Sequence, residues 1–441
     1  MCFRLTIAFL LALTTFFCFV SQNKALANEI LNGSRKMYDD SNVTSINANK
    51  NQTANVQKIV VKQSLKQTGK ISKIAFTPNG QLLAVAASGD EKALKLFNKE
   101  TGQLKTTLAG SVEDFAFCFD SRTVAISTSN DKVNIWDIET GQLKKTLTGQ
   151  KGFVTEIEFN SDCKRLLISS DDRTVRLWDV ESGQLKKRIT EHKRILLGGL
   201  FVKASFNPDG STFITTSMDD SKPRLWEANG GELIKTMKVE STSVYSTGDV
   251  RGHSFSPDGR IVATSSFDNV INLWNGHSGK VEASLNLECD AYHFAFSPDG
   301  KLIATACRDG KSKIWDVSKA ALIKTLSIIE RRATTVAFTS DSQVLAACHP
   351  DIDKCNLWNV QSGELIATVP ADDGHETMFS PDGKLFVTMD NKKKVRVWST
   401  QNGNLISELT DARFPAVFSP DGKTLAAVGS DNRTVILWSV L

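Results

Sequence analysis

The sequence predicts an all-β fold: one closed ring of nine repeat units, each a four-stranded antiparallel sheet. Two observations predict it. A bulky aromatic closes a short alternating strand nine times: Phe97 ("LKLF"), Trp136 ("VNIW"), Trp178 ("VRLW"), Trp226 ("PRLW"), Trp274 ("INLW"), Trp315 ("SKIW"), Trp358 ("CNLW"), Trp398 ("VRVW") and Trp438 ("VILW"). Successive spacings are 39, 42, 48, 48, 41, 43, 40 and 40 residues, and all 8 tryptophans of the chain occupy this position. The second observation is a recurrent turn: "TPNG" at Thr77, "NPDG" at Asn207, and "SPDG" at Ser256, Ser297, Ser380 and Ser419. A fixed period of this length marks a repeat array.

Each period accommodates four short strands. The first, such as "GQLKTTL", alternates apolar and polar residues, and the second closes on Phe, as in "KIAF" and "EIEF". In the turn that follows, Pro fixes φ and Asp-Gly accepts the positive φ that a hairpin demands. An apolar run such as "KLIATAC" makes the third strand, the aromatic-ended run the fourth, and "ETG", "ESG", "HSG", "QSG" or "QNG" closes the next hairpin. Alternation in runs of four to eight residues between turn signals is the strand signature. A lone sheet of this kind leaves both faces wet, so units must stack, and radial stacking leaves only short, protected edges. The expectation is a β-propeller over residues 58–441 with nine blades, a seven- or eight-bladed ring with displaced units being the runner-up.

Ahead of the array, "MCFR" and the uncharged run Leu5 to Val20 precede "ALA" at Ala25 to Ala27. This is the pattern of a secretory signal peptide over 1–27, cut after Ala27; an uncleaved anchor is the rival reading. Residues 28–57 are rich in Asn, Ser and Thr and read as a flexible polar leader. The expected location is therefore secreted or periplasmic, without stable membrane insertion after cleavage. The formal net charge of +4 falls to about +2 without Arg4 and Lys24, which is no nucleic-acid signature.

Beyond the leader lie Cys118, Cys163, Cys289, Cys307, Cys348 and Cys355. In a chain this long they are not a disulfide framework. Cys348 and Cys355 flank a predicted hairpin turn, "CHPDIDKC", where opposite positions can reach bridging distance; the alternative is two small half-buried residues. No C-x-x-C pair offers a zinc ribbon.

The period near 40 with Trp-Asp at Trp136-Asp137, Trp178-Asp179 and Trp315-Asp316 resembles the WD-repeat β-propeller family, as an exported, bacterial member. The resemblance covers 58–441. It implies a buried network joining a turn Asp, six residues before the Trp, to the indole and to a His of a Gly-His pair. The Asp matches as Asp172, Asp220, Asp268 and Asp309; Glu91, Lys392 and Asn432 stand at the position elsewhere, and the Gly-His part is essentially missing. The resemblance also implies that the N-terminal strand completes the last blade, setting Ile59 to Leu65 beside Val435 to Trp438.

No nucleophile elbow, H-E-x-x-H, phosphate loop or EF-hand occurs, and "GHSFS" at Gly252 lacks the second Gly of the elbow. His253, His293 and His375 fall in different units and read as structural. No catalytic residue, metal or cofactor is expected. Two insertions depart from the unit: "EHKRILLGGLFVKASF" (Glu191 to Phe206) and "ESTSVYSTGDVRGH" (Glu240 to His253). Departures from a regular unit are where binding concentrates. The candidate partner-binding residues are Arg194, Ile195, Leu197 and Phe201 in the first and Tyr245 and Arg251 in the second, with Arg331 and Arg332, and with the turn Lys392 to Lys394 on the same face. The function implied is a non-catalytic scaffold for protein partners outside the cytoplasm; the alternative is an exported propeller with a ligand-binding, hydrolytic or oxidoreductase site at the channel mouth.

Overall fold

The computed structural model describes residues 58–441, apart from 89–91, 130, 191, 193–201, 218–219, 239–249, 267, 328–331 and 373–376. The expected signal peptide and leader lie outside the described residues. Nine four-stranded antiparallel sheets follow one another. Blades 1 to 8 run consecutively over 70–109, 114–147, 154–189, 202–236, 250–286, 291–326, 335–370 and 377–409. Blade 9 takes three strands from 412–440 and its fourth, outer strand, Ile59–Lys66, from the start of the ring. Among the described residues the only helical element is a short 3-10 turn, Pro350–Ile352, and no helix is long and apolar enough to cross a membrane. The nine-bladed ring expected from the aromatic period is the one observed.

Middle strands explain why the chain reads as it does. In Leu82–Ser88, Leu302–Cys307 and Thr424–Gly429 both faces are buried, so apolar residues run on without alternation. Outer strands such as Leu143–Leu147 bury only their last residue and stay polar. The core is therefore nine cores, one at each blade junction. At the 3/4 junction, for example, Leu167, Val175, Leu177 and Ile189 of blade 3 meet Phe206, Phe213 and Trp226 of blade 4. At every junction the closing aromatic of the later blade faces the earlier one, from Phe97 against blade 9 to Trp438 against blade 8. Trp226 is 1% exposed and stacks on Phe213 with ring centroids 6.2 Å apart.

A buried indole N–H needs an acceptor. Thr215, Thr264, Thr305 and Thr388 on the second strands supply it to Trp226, Trp274, Trp315 and Trp398 at 2.9, 2.9, 3.4 and 2.9 Å. Ile126, Ile168 and Ala347 hold the matching register in blades 2, 3 and 7. There the indoles of Trp136, Trp178 and Trp358 find no partner among the described residues.

Ring closure combines a sheet with a polar latch. Ile59 pairs with Val440, Val61 with Trp438 and Leu65 with Val435, around one bulge. Lys99, buried at the outer end of blade 1, reaches Asp421 of blade 9 at 2.6 Å. Gln63 Nε2 donates to Lys99 O at 2.9 Å. Lys99 holds the Asp421 carboxyl, despite its partial burial, down to about 2.

All six cysteines among the described residues stand in pairs. Cys348 and Cys355 lie directly opposite on adjacent strands of blade 7 and are joined. Cys118 is joined to Cys163 across the 2/3 junction, and Cys289, on the connection from blade 5, to Cys307 of blade 6. The last two pairs, 45 and 18 residues apart, correct the reading that these cysteines form no disulfide framework.

Replacing Ala347 by Ser sets a hydroxyl where blades 4, 5, 6 and 8 carry Thr. We expect Ala347→Ser to stabilise the ring by about 1 kcal/mol, read as a higher thermal midpoint. A destabilised variant would show that the Trp358 N–H gains nothing from an acceptor there.

Candidate functional site

Polar and charged groups gather in four places: the indole networks, the strands around the axis, the face carrying the insertions, and one cluster of metal-ligand atoms. In blade 4 the implied Asp-His-Trp network is complete. His192 Nδ1 lies 3.1 Å from Asp220 Oδ2, His192 Nε2 lies 2.9 Å from Thr215 Oγ1, and Thr215 accepts the Trp226 N–H. Arg224 adds a bond to Asp220 at 2.7 Å. Burial opposes ionisation of Asp220, but His192 and Arg224 hold its carboxyl below the ordinary range. The sequence reading that the His was essentially missing is thus corrected for one blade: His192 follows Glu191 instead of Gly and is separated from its strand by an insertion.

Elsewhere the turn carboxylate serves other partners. Asp172 pairs with Arg176 at 2.7 Å and accepts from Thr174. Asp268 accepts from Ser266, and Asp309 receives the Lys311 N–H at 3.1 Å. In blade 8, where Lys392 occupies the matched position, Asp390 two residues earlier accepts from Lys392 and Lys394 and pairs with Arg396. In blade 9 Asp431 beside Asn432 accepts from Arg433 and Thr434. These networks close turns and strands; Asp172 and Asp390 are largely buried, whereas Asp309 and Asp431 are exposed.

The innermost strands present unpaired backbone edges to the axis, and a side chain from the preceding blade caps several of them. Lys73 of blade 1 donates to Phe115 O at 3.0 Å and pairs with Asp114. Glu158 of blade 3 accepts the Phe206 N–H at 3.3 Å on each oxygen. Arg251 of blade 5 donates to Ala291 O at 2.9 Å, and His293 of blade 6 receives the Val336 N–H at 3.4 Å. Such capping answers the requirement that buried backbone groups be bonded.

Within this layer Glu156 and Glu158 of blade 3 share one face of a strand, with Asp114 on one side and Lys203 on the other. Burial pushes the Glu156 carboxyl up to about 7, Lys203 and Lys73 pull it down and Asp114 pushes it up. Burial also raises Glu158 well above the ordinary range, with Glu156 adding to the rise and the Phe206 N–H opposing it. His253 is not a member of an open site: it bonds Thr216 at 2.7 Å and Ser205 at 2.9 Å between blades 4 and 5. Burial, with Lys203 and His192 nearby, lowers it to about 3, so it is a neutral structural histidine. His375 lies outside the described residues.

On the face carrying the insertions, Arg194, Ile195, Leu197, Phe201, Tyr245 and Arg331 lie outside the described residues. Arg251 spans the 5/6 junction, 2.7 Å from Asp290 and 5.7 Å from the Tyr292 ring centre. Arg332 is exposed and bonds Asp351 at 2.9 Å. Lys393 pairs with Asp372 at 2.6 Å on the same face. The structure joins Arg332 to Asp351 and Lys393 to Asp372 as two separate pairs, and holds Arg251 in a junction with Asp290. Among the described residues one trio has metal-ligand atoms close together, Cys118, Asp120 and Cys163. Its sulfurs are joined to each other, and Asp120 already accepts from Arg122 and Thr123.

Two comparisons concern sequence. The WD domain, G-beta repeat pattern matches residues 141–179, 232–275 and 407–439, and the Anaphase-promoting complex subunit 4 WD40 domain pattern matches 283–341. WD repeat and SOCS box-containing protein 1 of Takifugu rubripes is 30% identical over 105 residues, 22% of this chain and 24% of that protein. The Homo sapiens protein of that name is 29% identical over 105 residues, 22% of this chain and 25% of its own length. The chain thus spans about a quarter of these relatives. Among solved structures, the computationally designed Ika8 protein matches with a TM-score of 0.52 at 18% identity, over 78% of this chain and 97% of that one, a likeness of fold alone. Together with the nine observed blades, the sequence matches support a WD-repeat propeller, a fold typical of protein-interaction scaffolds.

Two outcomes follow. Thr215→Val removes the partner of both His192 and Trp226 and should destabilise by roughly 2–4 kcal/mol, whereas Thr264→Val, which orphans one indole, should cost roughly 1–2 kcal/mol; chemical denaturation distinguishes them. Glu156 carries a raised carboxyl, 4.5 when unfolded and about 7 when folded. The stability it contributes is full below the lower value and is lost as pH rises through the upper. Thermal midpoints should therefore fall between about pH 4.5 and 7, by on the order of 1 kcal/mol in stability, and Glu156→Gln should reduce the slope, Glu158 keeping its own share. A slope unchanged in that variant would remove Glu156 as its cause.

Proposed function

We propose that the protein works outside the cytoplasm as a non-catalytic WD-repeat platform for other proteins, exported through residues 1–27 and carrying 28–57 as a polar leader. The observation that carries this reading is a contrast in construction. Nine packed junctions fix the ring, and buried residues bracket the two insertions of the sequence: His192 and Val202 the first, Met237 and Val250 the second. Ile195, Leu197 and Phe201 offer apolar contact beside Arg194, and Tyr245 and exposed Arg332 are residue types that dominate binding energy. Arg251, committed to Asp290 and Ala291, acts through the position of its strand.

Export is supported by the N-terminal sequence and by the cysteines. Every cysteine after Ala27 is paired, an economy expected of an oxidising compartment. The near-neutral charge favours proteins over nucleic acids as partners.

The test is affinity capture from the exported compartment with the intact chain and with an Ile195→Ser, Leu197→Ser, Phe201→Ser variant. Partners recovered by the first should be lost or reduced at least tenfold with the second, at matched thermal midpoints. Equal recovery would remove this loop as the binding element, and an N-terminus at Met1 in the exported protein would remove the cleavage.

A further inference from the structure

The outer rim of the ring is uneven in charge. The outer strands of blades 2 and 3, Leu143–Leu147 and Leu185–Ile189, read LKKTL and LKKRI, with five cations and no carboxylate. Across the ring, Leu365–Pro370 of blade 7 reads LIATVP with no charge, and Leu405–Leu409 of blade 8 reads LISEL with Glu408 alone.

Alternation along a strand sorts these cations between the two faces of each blade. A Cβ built on Gly183 of blade 3 would lie 3.2 Å from Lys145 Cδ, so Lys145 overhangs blade 3, and Leu185 of blade 3, paired with Trp178, lies on the face toward blade 2. A Cβ on Gly231 of blade 4 would lie 2.6 Å from Lys187 Cβ, so Lys187 faces blade 4, and Lys186 and Arg188 turn back toward blade 2. The furrow between the rims of blades 2 and 3 is thereby lined by Lys145, Leu185, Lys186 and Arg188, all exposed. Lys186 approaches Asp179 at 3.9 Å, and among the described residues no carboxylate pairs with Lys145 or Arg188.

Lysines on an edge strand discourage pairing with other strands, but the uncharged rim of blade 7 shows that this ring does not need them for that. We propose that the furrow between blades 2 and 3 is a docking surface for an anionic lipid leaflet. Charge complementarity selects the sign of the partner. An aliphatic side chain flanked by long, flexible cations suits a fluid interface, where the stems lie against acyl chains and the charges meet headgroups. A convex rim touches a flat surface along one or two furrows, and the cations are concentrated at this one.

The test uses the full exported chain with vesicles of phosphatidylcholine, alone or with roughly 30% phosphatidylglycerol. Sedimentation should show binding to the anionic vesicles only, lost as salt is raised to ~0.5 M. Lys145→Gln, Lys186→Gln and Arg188→Gln together should weaken it roughly 100-fold, about fivefold per charge. Lys66→Gln with Lys324→Gln, on the outer strands of blades 9 and 6, should leave it within about twofold by the same rule. Absence of vesicle binding, equal binding by the triple variant at an unchanged melting temperature, or retention on polyglutamate or heparin without vesicle binding would each overturn the proposal.

Discussion

The structure depends on the face-to-face contact between neighbouring sheets. A four-stranded sheet has two faces, and a wedge in this ring gives each to a neighbour. The closing aromatic fills the widening space between wedges: Trp178 beside Ile135 and Leu147, Trp315 beside Leu273 and Leu285. Burying a side chain of this size contributes roughly 2–3 kcal/mol. No junction can be completed before its neighbour is present, so repetition is a condition of folding and not an ornament of the sequence. The first and last blades face the same requirement, and they meet it by sharing a sheet: Leu65 joins Val435 and Leu437 in the core that also holds Phe97.

Polar groups are then fitted around that contact, and blade by blade the fitting varies. An indole N–H finds Thr215 or Thr388 where the second strand offers a hydroxyl, and nothing where it offers Ile168 or Ala347. Three orphaned indoles are tolerated because the packing of nine junctions exceeds what each orphan costs, about 1–3 kcal/mol. The same tolerance lets Arg176 or Arg396 stand where a histidine network would otherwise close the turn.

What could be read from the sequence follows from range. The aromatic period, the Pro-Asp-Gly turns and the closing strand are local signals, set by φ, by alternation and by the need for a core, and blade number follows from counting them. Cys348 and Cys355 flank one hairpin and could be considered as a pair. Cys118 and Cys163 could not: they meet only because two consecutive blades set equivalent turns side by side. His192 was hidden by the insertion that separates it from Val202. The grouping of Asp114, Glu156 and Lys203 near the axis needs the register of three inner strands, which no single stretch of sequence contains.

Where chemistry can reside follows from the wedge itself. In the middle of each blade both faces are covered and the strands are almost wholly apolar, as in Leu345, Ala346 and Ala347. Toward the axis, the strand edge loses its sheet partner and must be capped, which admits Lys73, Glu158 and Arg251. Toward the rim, adjacent sheets diverge and water enters, which admits Lys145 and Arg188. On the faces, turns need only close, and insertions at 193–201 and 239–249 lengthen the chain without disturbing a junction. Charge and length therefore vary at the inner edge, the rim and the faces, and stay constant between them. A ring of this kind can acquire a new binding surface in any of those three zones while its nine shared cores remain unchanged.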